Sequence, residues 1–583
     1  MPQISHRQAE EMGPSLPDHE GDYRDAKAAA TSESLPPERW EAELQKVEQR
    51  LASDPDSVHL RLRRAFWLSQ LGRFIDARND YMKVLECEPN HLGALNNLGS
   101  VLMATRNRRA ARTVLTQAVV RYPNDPTSRV NLGQILLFEI DELEGRQRED
   151  EALQLKREAR EHYEHALRIR PDYQPAHEGL SYLLGDLGDA PKAAWHRREA
   201  FRNHFIMPLP YRGKAAPVAV LLLVSTTGGN VRLQKFLDDR IFQTSIVLPE
   251  YYDRNTPLPA HELVVNAIGD TELASGALAA AQFLLARTKA TVINGPAAVL
   301  ATSRSNNAKR FSGLPGIVTP ITAALPREQL SNSDAATTLA RHGFAFPLLL
   351  RAPGFHTGRH FLRVESFDAL PAALAQLPGR ELIIMQYLDA RGPDGKARKY
   401  RAMMIDEEIY PLHLAISSHW KVHYFSAEMA VNPEHRAEEA AFLENMPAVL
   451  GPAAMNALQR IQSILGLDYG GIDFGLNAKG EVLLFEANAT MAVNAPEAGE
   501  RWNYRQTAYQ RIQEAIQKML MDSATIRARR RDSGHARVLQ GGVHTISCKH
   551  CPENRANQPA AGPSPLTNRA YPRGKPKDRL NVC

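Results

Sequence analysis

The sequence predicts a multidomain protein in which an α-helical repeat solenoid precedes an α/β (α+β) body, with disordered termini. Three observations predict this. Prolines recur 34 residues apart between Pro55 and Pro123, apolar runs of strand length alternate with helical segments from about residue 216, and both ends are nearly free of large aliphatic residues. At about 150 residues per domain, 583 residues suggest three or four domains.

Residues 1–37 are polar and acidic and read as a disordered arm. From Trp40 the periodicity is helical, and residues 38–207 are read as the repeat domain. Pro55, Pro89 and Pro123 each precede Asp or Asn, and Ala65, Gly99 and Gly133 keep the same 34-residue step, as do Ala77 and Ala111. Pro171-Asp172 arrives 48 residues after Pro123, which is one period plus an insert of 14, placed around Glu144–Lys156. Small residues at fixed positions let antiparallel helices approach closely, and each proline ends a pair. The pattern resembles the tetratricopeptide repeat, with three to four copies, which implies a groove for a peptide or protein partner.

After Pro208–Pro210 the period changes. Val218–Ser225 and Glu262–Asp270 read as buried strands, Glu272–Arg287 as a helix and Ala290–Gly295 as a third strand, so residues 216–312 are expected to form a parallel α/β layer. Further strands are expected in Pro347–Gly354, Glu381–Asp389, Lys399–Ser417 and Val482–Thr490, within a domain at 313–522. Beyond it, residues 523–583 read as a basic disordered tail.

The most specific segment is Leu467–Met491, where Asp473 in one strand and Glu486 and Asn488 in the next would meet across a Gly480 turn. Glu486 and Asn488 are two apart and share a face, so the three form a hard-oxygen set suited to Mg²⁺, with Mn²⁺ as a substitute. This hairpin resembles the metal-binding hairpin of the ATP-grasp superfamily, nearest its D-alanine–D-alanine ligase and glutamate-ligase branch, with matching order over about residues 216–520. The resemblance implies an ATP-grasp domain that uses ATP to activate a carboxylate as an acyl phosphate for attack by an amine or thiol. It implies phosphate contacts from Arg304, Arg351 and a glycine loop carrying Gly354 and Gly358, and adenine recognition along Gln386, Tyr387 and Leu388. Arg401 and Lys421 would face the phosphates and acyl phosphate, and Asp473, Glu486 and Asn488 would hold the metal.

There are three departures from that family's pattern. Gly471 stands where an Arg usually precedes the metal-binding Asp by two residues, Arg304 and Arg351 replace the usual lysines, and Ala489-Thr490-Met491 replaces a Ser/Pro/Gly turn. His413, His419 and His423 are candidates to supply the missing acceptor-step function. The alternative reading is a non-catalytic scaffold that binds nucleotide as a switch and uses the repeats for protein–protein contact.

The net charge of +5 comes from 71 Lys+Arg and 66 Asp+Glu. Residues 525–583 hold 12 basic and 3 acidic residues, leaving 59 basic and 63 acidic in the remainder. The folded part is therefore mildly acidic, and nucleic acid is not an expected partner, the Arg527–Arg531 cluster included. Four cysteines fit a reducing, cytoplasmic setting, with Cys548 and Cys551 beside His544 and His550 as half of a possible zinc site. No apolar run has membrane-spanning length, and the first twenty residues lack the apolar core of a secretory signal.

Overall fold

The computed structural model describes residues 37–145, 148–353, 360–422, 424, 427–497 and 499–536. It has the expected architecture, an α-helical solenoid of antiparallel helix pairs followed by an α/β body. One compact unit ends at Arg530. Among the described residues no helix is long and apolar enough to cross a membrane.

A leading helix α1 (Pro37–Ser53) precedes four antiparallel pairs: α2/α3 (Val58–Gln70, Phe74–Cys87), α4/α5 (Leu92–Ala104, Arg108–Arg121), α6/α7 (Pro126–Gly145, Glu149–Ile169) and α8/α9 (Gln174–Asp186, Ala190–Phe201). The 14-residue insert does not form a separate loop. It lengthens the third pair, whose helices have 20 and 21 residues against 13 and 14 in the pair before it. Seven residues are two helical turns, so each helix keeps its face and the stack continues in phase. The small residues act as the period predicts. A Cβ on Gly99 would lie 2.6 Å from Leu115 Cγ, and one on Gly133 2.8 Å from Tyr163 Cζ.

The parallel layer has strands β1 (Ile206–Pro208), β2 (Val218–Leu223), β3 (Phe242–Val247), β4 (Leu263–Asn266) and β5 (Thr291–Ile293), in the order β1-β3-β2-β4-β5. Only β1 pairs antiparallel. Helix α10 (Ser275–Leu285) lies between β4 and β5, and the short helices α11 (Pro296–Leu300) and α12 (Arg304–Arg310) follow. The unbroken apolar run of β2 is explained by burial on both faces. Leu221 and Leu223 join one core with α10, while Val220 and Leu222 join a second core with Ala200 and Phe201 of α9. The last repeat is thus built into the α/β layer.

Strand β6 (Ile317–Val318) leads to a four-stranded antiparallel sheet of β7 (Thr322–Pro326), β8 (Leu348–Arg351), β9 (Phe361–Val364) and β10 (Glu381–Gln386), ordered β7-β10-β8-β9. Helices α13 (Arg327–Ser331), α14 (Ala335–Arg341) and α15 (Leu370–Gln376) accompany it. The larger sheet has β11 (Ala397–Ile405), β12 (Glu408–Ser417), β13 (Tyr469–Leu476) and β14 (Val482–Asn488) in the order β12-β11-β13-β14-β6. Helices α16 (Pro433–Glu444) and α17 (Met446–Leu465) cover one face, placing Phe442, Leu458 and Ile461 in a core with Tyr400, Ile472 and Phe474. Helix α18 (Gln506–Ala536) carries the chain as helix through Arg527–Arg531, inside the segment 523–583 expected to be a disordered tail.

Two predictions follow from the repeat packing. Gly133→Ala forces a Cβ into Tyr163 and is expected to cost about 1–3 kcal/mol, read as faster amide exchange in α6 and α7. Burial first, then Arg129, lowers the pKa of His162 to about 4; burial and then His177 do the same for His196. The unfolded chain takes up these protons near pH 6.5 and the folded chain only near 4, so stability falls as pH drops through that window. Amide protection in α7 and α9 should weaken between pH 7 and 5 after correction for intrinsic exchange, and less so in a His162→Gln/His196→Gln variant. Protection that is flat or rising over this range would contradict the assignment.

Candidate functional site

One row of side chains crosses the larger sheet. His413 pairs with Arg401, Arg401 with Asp473, and Asp473 with Glu486, one residue from each of β12, β11, β13 and β14. Directly opposed residues share a face, so the four side chains stand side by side. Bulges flank the row at Arg401/Ala402 and at Asp473/Phe474, and bulges re-aim side chains at such positions.

Asp473 is only 4% exposed and accepts two hydrogen bonds from Arg401, from Nε at 2.5 Å and from Nη2 at 2.8 Å. Lys399, two residues before Arg401 and therefore on the same face, lies 3.2 Å from Asp473. Burial opposes the charge on Asp473, but Arg401 and Lys399 outweigh it and hold the carboxyl well below the usual carboxylate range. Arg401 is raised in turn, because Asp473 overcomes the effect of burial.

The next part of the cluster joins α12 to β14. Arg304 donates to Glu486 at 2.5 Å and also to Glu272, in the loop after β4. Asn488 Nδ2 donates to Glu486 at 2.8 Å, and its carbonyl oxygen accepts from the Thr490 N–H and hydroxyl at 2.9 and 2.8 Å. Asn307 ties the strand to α12 by donating to the Ala487 carbonyl at 2.5 Å. Arg351, at the end of β8, feels the same field: burial, then Arg304, lowers its pKa, while Glu486, Glu272 and Asp270 act the other way. Four acidic groups (Asp270, Glu272, Asp473, Glu486) thus face four basic ones (Arg304, Arg351, Lys399, Arg401), and the formal charges cancel.

A cleft of about 570 Å³, open to solvent, touches this cluster at Asp270, Arg304 and Glu486. The parallel layer contributes Gly269, Asp270 and Thr271, β14 contributes Glu486 and Asn488, and the small sheet contributes Thr322 and Met385. All three sheets therefore meet at one opening. Among the described residues no group of three or more His, Cys, Asp and Glu side chains is arranged to hold a metal ion. Asp473 and Glu486 are paired across β13 and β14, but both carboxylates are held by arginines and Asn488 turns its amide nitrogen, not its oxygen, toward Glu486. The oxygens of this set would be open to a hard cation only if the guanidinium groups bound another anion and the Asn488 amide turned.

The other expected positions are spread more widely. Gln386 ends β10 with its N–H bonded to the Ile321 carbonyl at 2.8 Å and its side chain bonded to the Ala345 N–H and the Pro347 carbonyl. Tyr387 and Leu388 follow it, and Arg363 lies 4.2 Å from the Tyr387 ring centroid. Lys421 is exposed on the loop after β12, beside Trp420, which packs on Phe361 at 5.4 Å. His419 is exposed. Gly354, Gly358, His423, His544, His550, Cys548 and Cys551 lie outside the described residues.

The Gly471 departure has a structural basis. A Cβ there would lie 2.7 Å from Met491 Cγ and 3.1 Å from the Ala402 carbonyl oxygen. Met491, in the segment that replaces the expected turn, fills the space beside Gly471. Lys399 and Glu272 are members of the cluster that the sequence reading did not single out. Alternation in Lys399-Tyr400-Arg401 was a usable signal for the first, whereas nothing local marks Glu272 as a partner of Arg304.

No family model matches the chain, and no curated protein matches it. Two solved structures illustrate its partial likenesses. The first is MamA from Desulfovibrio magneticus RS-1, 20% identical over 32% of this chain and 95% of that one, with a TM-score of 0.24. The second is the VanG D-Ala:D-Ser ligase from Enterococcus faecalis, 14% identical over 53% of this chain and 100% of that one, with a TM-score of 0.34.

Proposed function

We propose that the chain is an ATP-dependent ligase of the ATP-grasp type, which activates a carboxylate as an acyl phosphate for attack by an amine or thiol. The repeat domain binds a peptide or protein partner. The observation that carries this reading is the charge-balanced cluster at the cleft where three sheets meet.

Nucleotide phosphates are the anion that this cluster lacks. Arg304 and Arg351 would turn to the phosphates, freeing Glu486, while Asp473, Glu486 and Asn488 would hold Mg²⁺. That ion would supply neutralisation of charge between the terminal phosphates. Because the Gln386 N–H is already bonded to Ile321, the main chain of Tyr387 and Leu388 is left to read the adenine edge. The loop carrying Gly354 and Gly358 would exclude water. A carboxylate oxygen of the substrate then attacks the γ-phosphorus, and the bond to ADP breaks. An incoming amine next attacks the acyl carbon, and phosphate leaves. Arg401 stands in the row as a fixed cation for the charge that develops, with Lys421 carried on the neighbouring loop.

One observation favours a second reading, in which the domain binds nucleotide as a switch and transfers nothing. The space beside Gly471 is filled by Met491, so no cation stands there for the acceptor step.

Nucleotide turnover decides between the two. Glu486→Gln should lower Mg·ATP-dependent ADP release, measured with a mixture of carboxylates and amino acids, by about 100-fold or more with little change in stability. Asp473→Asn should abolish release and also destabilise the fold, since it strands the partners of a buried ion pair at a cost of up to about 3–5 kcal/mol. Unchanged release in both variants contradicts the metal assignment. ATP binding without turnover under any substrate mixture favours the switch.

A further inference from the structure

The larger sheet and the small sheet each present one side to the cleft. Glu486 and Asn488 of β14 line it from the first, Thr322 of β7 and Met385 of β10 from the second. In the small sheet that face can be followed outward by register. Ile383, two residues before Met385, pairs with Arg351, and Arg351 pairs with Phe361, so all three share the face of Met385. β7 and β9 are the two edges of this sheet, and β12 is an edge of the larger one.

Trp420 joins the two far edges. It follows β12 and packs edge-on against Phe361 at the start of β9, with ring centroids 5.4 Å apart and planes at 67°. The space between the sheets is thus bounded on one side by the β6–β7 connection, whose Thr319 and Pro320 line the cleft, and on the other by this aromatic pair. The loop that carries Trp420 is fixed on either side of it. Ser418 Oγ donates to Glu428 at 2.6 Å, and the Tyr424 hydroxyl donates to the buried Glu439 at 3.2 Å. Within Ser418-His419-Trp420-Lys421 only Trp420 is withdrawn from solvent. Neighbouring Cα atoms are about 3.8 Å apart, so seating Trp420 on Phe361 brings Lys421 to the edge of the small sheet, one strand from Arg351.

Resting on the nucleotide-binding part of the reading above, which the ligase and the switch share, we propose that Trp420 is the residue that positions Lys421 at the terminal phosphate, by docking its loop on Phe361 beside Arg351. Trp420 itself touches no phosphate. Its ring holds the Lys421 ammonium on the Arg351 side of the site, so that cations from two different sheets converge on one phosphoryl group without reorganising. The contact therefore discriminates by phosphate number. A triphosphate reaches Lys421, and a diphosphate does not.

Titration calorimetry of the full chain with the Mg²⁺ complexes of a non-hydrolysable ATP analogue and of ADP tests this, each variant being checked for folding by thermal denaturation. Trp420→Ala should weaken the analogue about tenfold or more and ADP less than about twofold, while Trp420→Phe, which keeps a ring against Phe361, restores most of the affinity. Phe361→Ala should match Trp420→Ala, and the double variant should be no weaker than either single one. Lys421→Met should weaken the analogue by a similar factor, and adding Trp420→Ala to it should cost nothing further. Equal weakening of ADP and analogue gives Trp420 a general packing role and overturns the proposal. Unchanged analogue affinity in Trp420→Ala overturns it, and so does additivity with Lys421→Met. A wild-type chain that binds neither nucleotide overturns the nucleotide reading itself, and the proposal with it.

Discussion

A bidentate ion pair between Arg401 and Asp473 lies at the centre of the larger sheet, and the arrangement around it follows from the cost of burying it. Removing a carboxylate or a guanidinium from water costs several kcal/mol, recovered only when the partner is close and the remaining donors are satisfied. Lys399 supplies a second cation to Asp473, and Arg304 answers Glu486 one strand further on. Neutrality is thereby kept over the cluster as a whole, since Asp473 has two cations and Arg304 two carboxylates. A cluster balanced in this way has no strong attraction for a lone anion or a lone cation. A metal–nucleotide complex, which carries both signs, can exchange partners with the cluster without leaving a buried charge unmatched.

The same constraint explains why the surrounding fold is continuous. Arg304 comes from α12, Glu272 from the loop after β4, and Arg351 from the end of β8, so the charge balance needs all three sheets in register. The last repeat shares the core of the parallel layer through Ala200 and Phe201, as does α18 through Ile512 and Ile516. Arg212 donates to the Gln70 carbonyl at 2.8 Å and pairs with Asp239, so the first repeat also touches the segment leading into the parallel layer. The repeats are attached at both of their ends to the body that carries the cleft.

The repeat domain was legible because its period is carried by steric necessity. Gly99 and Gly133 sit where a Cβ would strike Leu115 or Tyr163, and such positions recur visibly. The hairpin of Asp473, Glu486 and Asn488 was legible because alternation fixes which residues share a face. Strand β3 was not, since Gln243, Thr244 and Ser245 interrupt its apolar character and its burial is set by neighbours on both sides. The bulges at Arg401 and Asp473 were likewise invisible, because register is a property of two strands together. That is why His413 could be noticed in the sequence without being placed, and why Arg304 was assigned to phosphate without its resting partners Glu272 and Glu486.

The central proposal is that the cleft binds metal and nucleotide together because the charges of the cluster beside it cancel. Electron paramagnetic resonance of Mn²⁺ titrated into the full chain, with and without a non-hydrolysable ATP analogue, tests it most directly. The expected result is little bound Mn²⁺ in the absence of nucleotide, and a signal of protein-bound metal once the analogue is present, with an affinity gain of about tenfold or more over the analogue in buffer. Tight Mn²⁺ binding to the nucleotide-free chain, unchanged by the analogue, would contradict the account.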